Sequence, residues 1–304
     1  MARYKKKRRI KKYPIAVSII LIILALAYMT LDYFGYSIED LFRPKREPVE
    51  GQIKVHVINV DQADCILVET PDGCMLIDTG INETENHLEN YLYSLGITEI
   101  DYLLVTHAHS DHYGGADMIL DEFEVKNIIY DDYEYPAWLK TEFNNSGANL
   151  IDTKMGDKYY LGEAEFTVLC ADMVNPKNDN DYSIVIRLDY GESSFMFTGD
   201  ATKVCEQRMI ETWSYYELDC DFLKSGHHGS YTSSSADFLN ALTPEIIAIS
   251  CGVANDYGHP HKEVMDRYED TGADIYRTDL SGDLIFVSDG NSITYIGNNA
   301  NNGN

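Results

Sequence analysis

The stretch Leu104-Val-Thr-His-Ala-His-Ser-Asp-His-Tyr-Gly-Gly115 decides how this chain folds. Residues 101–106 have the composition of a buried strand and pass directly into a loop carrying His107, His109, Asp111 and His112. Three imidazoles and one carboxylate within six residues form a donor set suited to zinc or a similar divalent ion. In a loop leaving a strand, His107 and His109 can point one way while Asp111 and His112 point another, so the loop can serve two neighbouring ions. A single histidine at a strand end is ordinarily structural. Four donors at this spacing are not.

Three more strand ends carry matching chemistry. Phe195-Met-Phe-Thr-Gly-Asp200 ends in an acid able to bridge two metals, although Gly-Asp ends many strands. Phe222-Leu-Lys-Ser-Gly-His-His-Gly-Ser230 runs into His227 and His228, of which one can ligate metal while the other approaches substrate. Tyr257-Gly-His-Pro-His261 sets His259 and His261 at a helix start, where the positive end of the dipole favours anions. Seven of the nine histidines thus fall at strand-to-helix loops. His56, in a strand, and His87, on a helix, read as surface or core residues.

Short β-rich runs alternate with helical patterns around these loops. Strands are expected over residues 53–60, 65–69, 75–77, 101–106, 126–130, 165–169, 183–189, 194–198, 221–224, 246–250, 274–276 and 284–287. Helices are expected over 83–95, 201–212, 234–241 and 261–269. This order predicts two sheets packed face to face with helices outside, and a ligand site on the rim where the strands end.

The first 46 residues differ from the rest. They hold 11 Lys+Arg against 3 Asp+Glu, a net of +8; of the chain's 24 and 50, this leaves 13 basic and 47 acidic residues, a net of −34. Eight of the cations fall in residues 1–13 and precede an uncharged run of 18 residues, 14–31, long enough to cross a bilayer as a helix. The reading is a basic cytoplasmic segment (1–13), a transmembrane anchor (14–34), a linker (35–52), a folded domain outside the cytoplasm (53–296) and a disordered Asn/Gly-rich tail (297–304). The rival is a cleavable signal peptide, with Ala25-Leu-Ala27 as its cleavage site and a secreted product. A body this acidic repels polyanions unless a metal or a local basic groove intervenes. The six cysteines form no C-x-x-C pair, which argues against a thiolate zinc knuckle, and Cys74, Cys170 and Cys251 sit in apolar runs as small core residues.

The pattern T-H-x-H-x-D-H-x-G-G, preceded by Leu76-Ile-Asp-Thr-Gly80, resembles the metallo-β-lactamase superfamily, and more narrowly the hydrolase domain of ComEC-type competence proteins. The matching segments also include Asn59-Val-Asp-Gln-Ala-Asp64, Asn180-Asp-Tyr-Ser183 and the loops through Asp200, His227–His228 and His259–His261. The resemblance implies an α/β fold, the four-layer αββα sandwich, with a two-metal site at one rim, here preceded by one N-terminal transmembrane helix. Two departures stand out. Asp61 and Ala63 occupy positions where the family's first turn has glycines, and no histidine lies between His112 and His227 to complete the first metal site, where Asp181 or water is the expected substitute.

The expected mechanism follows from these residues. His107 and His109 bind one ion; Asp111, His112 and His227 bind the second; Asp200 bridges them; the ions are zinc, with manganese the alternative. Metal-activated water attacks, Asp111 also orienting it, while Lys224, His228 and His261 stabilise the developing oxyanion or protonate the leaving group. Asp78 buttresses the metal loop. The expected activity is phosphodiester hydrolysis on DNA or another phosphodiester polymer. The alternatives are hydrolysis of a lactam, lactone or thioester, and a non-catalytic metal-binding interaction module.

Overall fold

The computed structural model describes residues 15–33 and 44–297, apart from 49, 132, 134 and 175. The chain divides into two units, Met1–Pro44 and Lys45–Asn304. The basic segment 1–13, most of the linker and the tail beyond residue 297 lie outside the described residues.

In the first unit, the expected anchor over residues 14–34 falls on a helix, Ile15–Tyr33, 19 residues long. Its apolar side chains from Ile19 to Met29 are exposed. Among the described residues, however, no helix is long and apolar enough to cross a membrane. At 1.5 Å per residue, 19 residues reach about 28 Å, just under the ~30 Å hydrocarbon core.

The second unit holds two sheets. The first has eight strands: β1 (Ile53–Val57), β2 (Ile66–Glu69), β3 (Cys74–Ile77), β4 (Glu99–Leu104), β5 (Glu124–Tyr130), β6 (Asn149–Asp152), β14 (Leu284–Ser288) and β15 (Ile293–Gly297), in the order β15-β14-β1-β2-β3-β4-β5-β6. The second contains β7 (Lys158–Leu161), β8 (Ala164–Cys170), β9 (Val185–Tyr190), β10 (Ser193–Phe197), β11 (Phe222–Lys224), β12 (Ile246–Ile249) and β13 (Asp274–Arg277), in the order β13-β12-β11-β10-β9-β8-β7. Strands β3 to β6 run parallel, as do β10 to β13. Parallel strands need crossovers and are therefore covered on both faces, so β3 (Cys-Met-Leu-Ile) and β10 (Ser-Ser-Phe-Met-Phe) are wholly buried.

Three apolar layers account for this. Val55, Ile77, Phe166, Phe195, Phe197, Phe222 and Phe286 interlock between the sheets. On the outer face of the first sheet, Leu67, Leu76 and Ile128 pack with Leu88, Leu92, Ile119 and Leu139 from the helices Glu85–Ser94, Ala116–Glu122 and Ala137–Asn145. On the outer face of the second, Met196, Leu223 and Ile247 pack with Met209, Phe238 and Val264 from Lys203–Thr212, Ala236–Leu242 and Lys262–Thr271. This is the expected αββα order. Strands β6, β7 and β15 and the helices Ala116–Glu122 and Ala137–Asn145 were not legible in the sequence; the three strands are sheet edges with partly open faces. Arg46, in the expected linker, is docked against the β2–β3 turn, its guanidinium donating to the carbonyls of Thr70 and Gly73.

Candidate metal centre

The loops after β3, β4, β10, β11 and β12 meet on one rim, and main-chain hydrogen bonds set their shape. Asp64 N–H donates to Asp111 O, Thr79 N–H to His112 O, Gly114 N–H to Gly80 O and His227 N–H to Gly199 O, all at 2.7–3.1 Å. Gly114 is required by close approach: a Cβ there would lie 2.6 Å from Ser110 O and 2.7 Å from Gly80 O. Asp78 (φ 59°), His227 (φ 49°) and His228 (φ 54°) all take the left-handed conformation that side chains disfavour. So does Asp61 (φ 62°), at one of the two positions where the resemblance expects glycine.

At the centre lies the fully buried carboxylate of Asp200, whose two oxygens face opposite sides. Oδ1 is 3.3 Å from His112 Nε2 and 3.7 Å from His228 Nε2. Oδ2 is 3.4 Å from His227 Nε2 and 4.0 Å from His107 Nε2. Asp111 Oδ2 completes the first side, 3.4 Å from His228 Nε2 and 3.9 Å from His112 Nε2. His109 completes the second, grouped with His107 and Asp200. It is partly exposed, with Nε2 3.7 Å from Asp179.

Each buried imidazole has its Nδ1 engaged and its Nε2 turned inward. His112 Nδ1 donates to Asp78 Oδ2 at 2.7 Å, and His228 Nδ1 donates to the Ser250 carbonyl at 3.1 Å. Thr106 Oγ1 donates to Asp78, so it accepts from His107 Nδ1 at 3.1 Å. Thr232 Oγ1 lies 2.9 Å from His227 Nδ1. Such partners fix the tautomer and leave the Nε2 lone pair free.

The free atoms have nothing else to bind. His107 Nε2, His112 Nε2, His228 Nε2 and Asp200 Oδ1 are buried without a hydrogen-bond partner, an arrangement costing about 1–3 kcal/mol per group when nothing fills it. Two donors about 2.1 Å from one tetrahedral ion are roughly 3.4 Å apart, the spacing seen here. Charge agrees with geometry. Burial opposes ionisation of Asp200 and Asp111, but the surrounding imidazoles outweigh it, holding Asp200 well below the usual carboxylate range and Asp111 at about 2. Burial likewise opposes charge on His228, but Asp200 and Asp64 raise its pKa to about 10, so the carboxylates create a negative field that a proton or, in its place, a cation on Nε2 satisfies. The donor set therefore fits a pair of divalent cations, one on each side of Asp200.

Several expectations are corrected. His228, not His227, joins Asp111, His112 and Asp200; His227 reaches the opposite oxygen, on the side of His107 and His109. Asp181 is not a substitute ligand, because its carboxylate accepts from the amides of Lys177 and Asn178 and from Thr202 Oγ1. Lys224 does not face substrate. Its ammonium is fully buried and donates to Asp64 Oδ2 at 2.7 Å. His261 stands behind His259, with its Nδ1 taken by the Tyr231 amide. Asp78 buttresses His112, as expected.

Two residues carry roles that the sequence did not assign. Asp64 carries the Lys224 ion pair and lies 3.4 Å from His228 Nδ1; its only signal was its place in the segment 59–64. His259 stacks on His228 (6.2 Å between centroids, 24° between planes). Gln62, whose amide oxygen accepts from Gly252 N–H, donates to His259 Nδ1 and so leaves the His259 proton on Nε2 as a donor beside the centre. Burial, with His228 and His227 nearby, lowers the His259 pKa to about 4.

The chain belongs to the metallo-beta-lactamase superfamily, whose model matches residues 58–253. Within it, the chain is similar to ComE operon protein 3 of Bacillus subtilis, 29% identical over 78% of this chain and 33% of that protein. It is also similar to competence protein ComA of Neisseria gonorrhoeae, 31% identical over 81% and 33%, and to recombination protein 2 of Haemophilus influenzae, 30% identical over 76% and 28%. The chain thus spans about a third of the length of these relatives. Among solved structures, the metallo-beta-lactamase fold protein YhfI of Bacillus subtilis matches 78% of this chain and 99% of that chain, with a TM-score of 0.53 at 11% identity. The metallo hydrolase Igni18 of Ignicoccus hospitalis matches 77% and 98%, with 0.53 at 15%. Likenesses this distant establish the fold alone.

Proposed function

We propose that this protein is a binuclear metal-dependent phosphodiesterase. The observation that carries the reading is Asp200, with one oxygen toward His112 and His228 and the other toward His107 and His227. One cation would be held by His107, His109, His227 and Asp200, the other by Asp111, His112, His228 and Asp200, with zinc favoured by the imidazole-rich donors and manganese the alternative. A bound pair of divalent ions supplies Lewis acidity toward phosphoryl oxygens and acidifies water. The chain's own residues do the rest. Asp78, Thr106, Thr232 and Ser250 orient the imidazoles, and His259 offers its Nε2–H to a substrate oxygen.

The resemblance to ComEC-type proteins favours DNA as the polymer. Attachment to a membrane through residues 14–34, with the domain outside the cytoplasm, rests on the uncharged run and the cations before it. Protease added to intact cells is expected to reach residues 32–304, and full protection would refute this topology.

The activity is tested by metal content and substrate choice. Metal-loaded protein is expected to carry two ions per chain and to cleave bis(p-nitrophenyl) phosphate but not nitrocefin. Asp200→Asn is expected to lower both metal content and turnover. Nitrocefin cleavage alone would favour the lactam reading. Bound metal with no turnover of either substrate would favour an interaction module.

A further inference from the structure

One surface cavity, of about 530 Å3, is lined by Met173, Lys177, Lys203, Gln207, Arg208 and Glu211. Residues 47–304 hold only 13 basic side chains against 47 acidic ones, yet three of the 13 line this cavity. Arg208 is fixed in its wall, donating to the Ala171 carbonyl and pairing with Asp172 at 3.3 Å. Glu211, the acid in the lining, accepts from Gln207. Lys177 and Lys203 are exposed, and among the described residues no ion pair engages either ammonium. With Asp172 and Glu211 counted against Lys177, Lys203 and Arg208, the cavity still carries one net positive charge in a chain this acidic.

Two short links tie the cavity lining to the His227 side of the metal centre. Lys203 N–H donates to the Thr232 carbonyl, and Thr232 Oγ1 lies 2.9 Å from His227 Nδ1. Lys177 stands three residues before Asn180, whose Nδ2 lies 3.4 Å from His227 Nδ1. Flat rings project from the same rim. Tyr231, next to Thr232, is 52% exposed, and Tyr257, 68% exposed, stacks on His259 with planes 20° apart. Tyr257, His259 and His228 thus form a row of near-parallel rings from solvent to the centre.

We propose that Lys177, Lys203 and Arg208 form a subsite for the phosphates that flank the scissile one in a single-stranded nucleic acid. The proposal rests on the phosphodiesterase reading and deepens it. Ammonium and guanidinium groups neutralise backbone phosphates, and exposed aromatic faces take unstacked bases without sequence preference. The rings select nucleic acid over a base-free polyphosphodiester. The acidic body elsewhere restricts binding to the few phosphates near the rim.

The test is fluorescence anisotropy of labelled dT12 carrying phosphorothioate linkages, on the metal-loaded full chain, as a function of salt. Lys177→Ala/Lys203→Ala is expected to weaken binding at least tenfold at low salt and to reduce the log–log salt slope by roughly 1.4, about 0.7 per lost single-strand contact. Glu211→Gln is expected to tighten binding two- to threefold, and equal metal content in all variants is the control. An unchanged affinity and slope in the double lysine variant would overturn the subsite. Competition by poly(glycerol phosphate) as strong as by unlabelled dT12 would overturn the choice of nucleic acid. Failure of the wild-type protein to cleave bis(p-nitrophenyl) phosphate would instead strike the phosphodiesterase reading itself.

Discussion

Asp78 Oδ2 lies 2.7 Å from His112 Nδ1, with both side chains fully buried. The same carboxylate accepts from the Thr106 amide through Oδ1 and from the Thr106 hydroxyl through Oδ2, each at 2.8 Å. An amide in its place would turn an NH2 toward one of these donors. Asp78→Asn is therefore expected to lower metal affinity about 10- to 100-fold, measured by competition with a chromophoric chelator. Unchanged affinity would mean that His112 needs no orienting partner.

The ion pair between Lys224 and Asp64 makes a separate prediction. Both groups are buried, so removing Lys224 leaves the Asp64 carboxylate with His228 as its remaining charged neighbour. Lys224→Met is expected to cost about 3–5 kcal/mol in urea unfolding, and Lys224→Met/Asp64→Asn to recover part of it. Losses in Lys224→Met and Asp64→Asn that simply add in the double variant would show that the two charges are uncoupled.

Gly114 tests the rim by volume alone, since its φ is ordinary. A methyl group would press on Ser110 O, Gly80 O and Ile81 Cα at 2.6–2.7 Å, all of them backbone atoms. Gly114→Ala is expected to destabilise the domain by about 1–3 kcal/mol and to weaken metal binding with it. A variant as stable as wild type would show that the two loops can separate.

Acid sensitivity should trace partly to Glu69. Burial opposes its ionisation, but the hydrogen bond and charge of His56, helped by Lys54 and Arg46, lower its pKa below the ordinary 4.5. A depressed folded pKa contributes stability that is complete above the unfolded value and lost as pH falls through the folded one. Glu69→Gln is expected to lower stability at pH 7 and to flatten the decline below about pH 4.5 in urea unfolding. Parallel curves for variant and wild type would exclude Glu69 as a source.

The sequence carried the fold where burial is two-sided. Strands such as β3 and β4 read as short apolar runs because helices cover one face and the other sheet covers the second. Edge strands β6 and β7 carry Asn149, Lys158 and Tyr160 on open faces, so their alternation is lost in polar noise. The donor loop from His107 to His112 was legible because its ligands are local. The division between His227 and His228 was not, since it depends on two successive left-handed residues that turn adjacent rings to opposite oxygens. Lys224 read as functional because a lysine ending an apolar strand needs a reason. That reason is Asp64, 160 positions away, a separation at which spacing carries no signal.

The main-chain bonds from Asp64 to Asp111, Thr79 to His112 and Gly114 to Gly80 tie the loops of this rim to one another without using any metal-ligating side chain. Small zinc domains differ, because there the cation's binding energy is the folding energy. Here the rim is tied together by the backbone, so loading is expected to be reversible on a folded scaffold. A chelator is then expected to strip bound ions, and a different divalent ion to replace them, while the architecture stays intact.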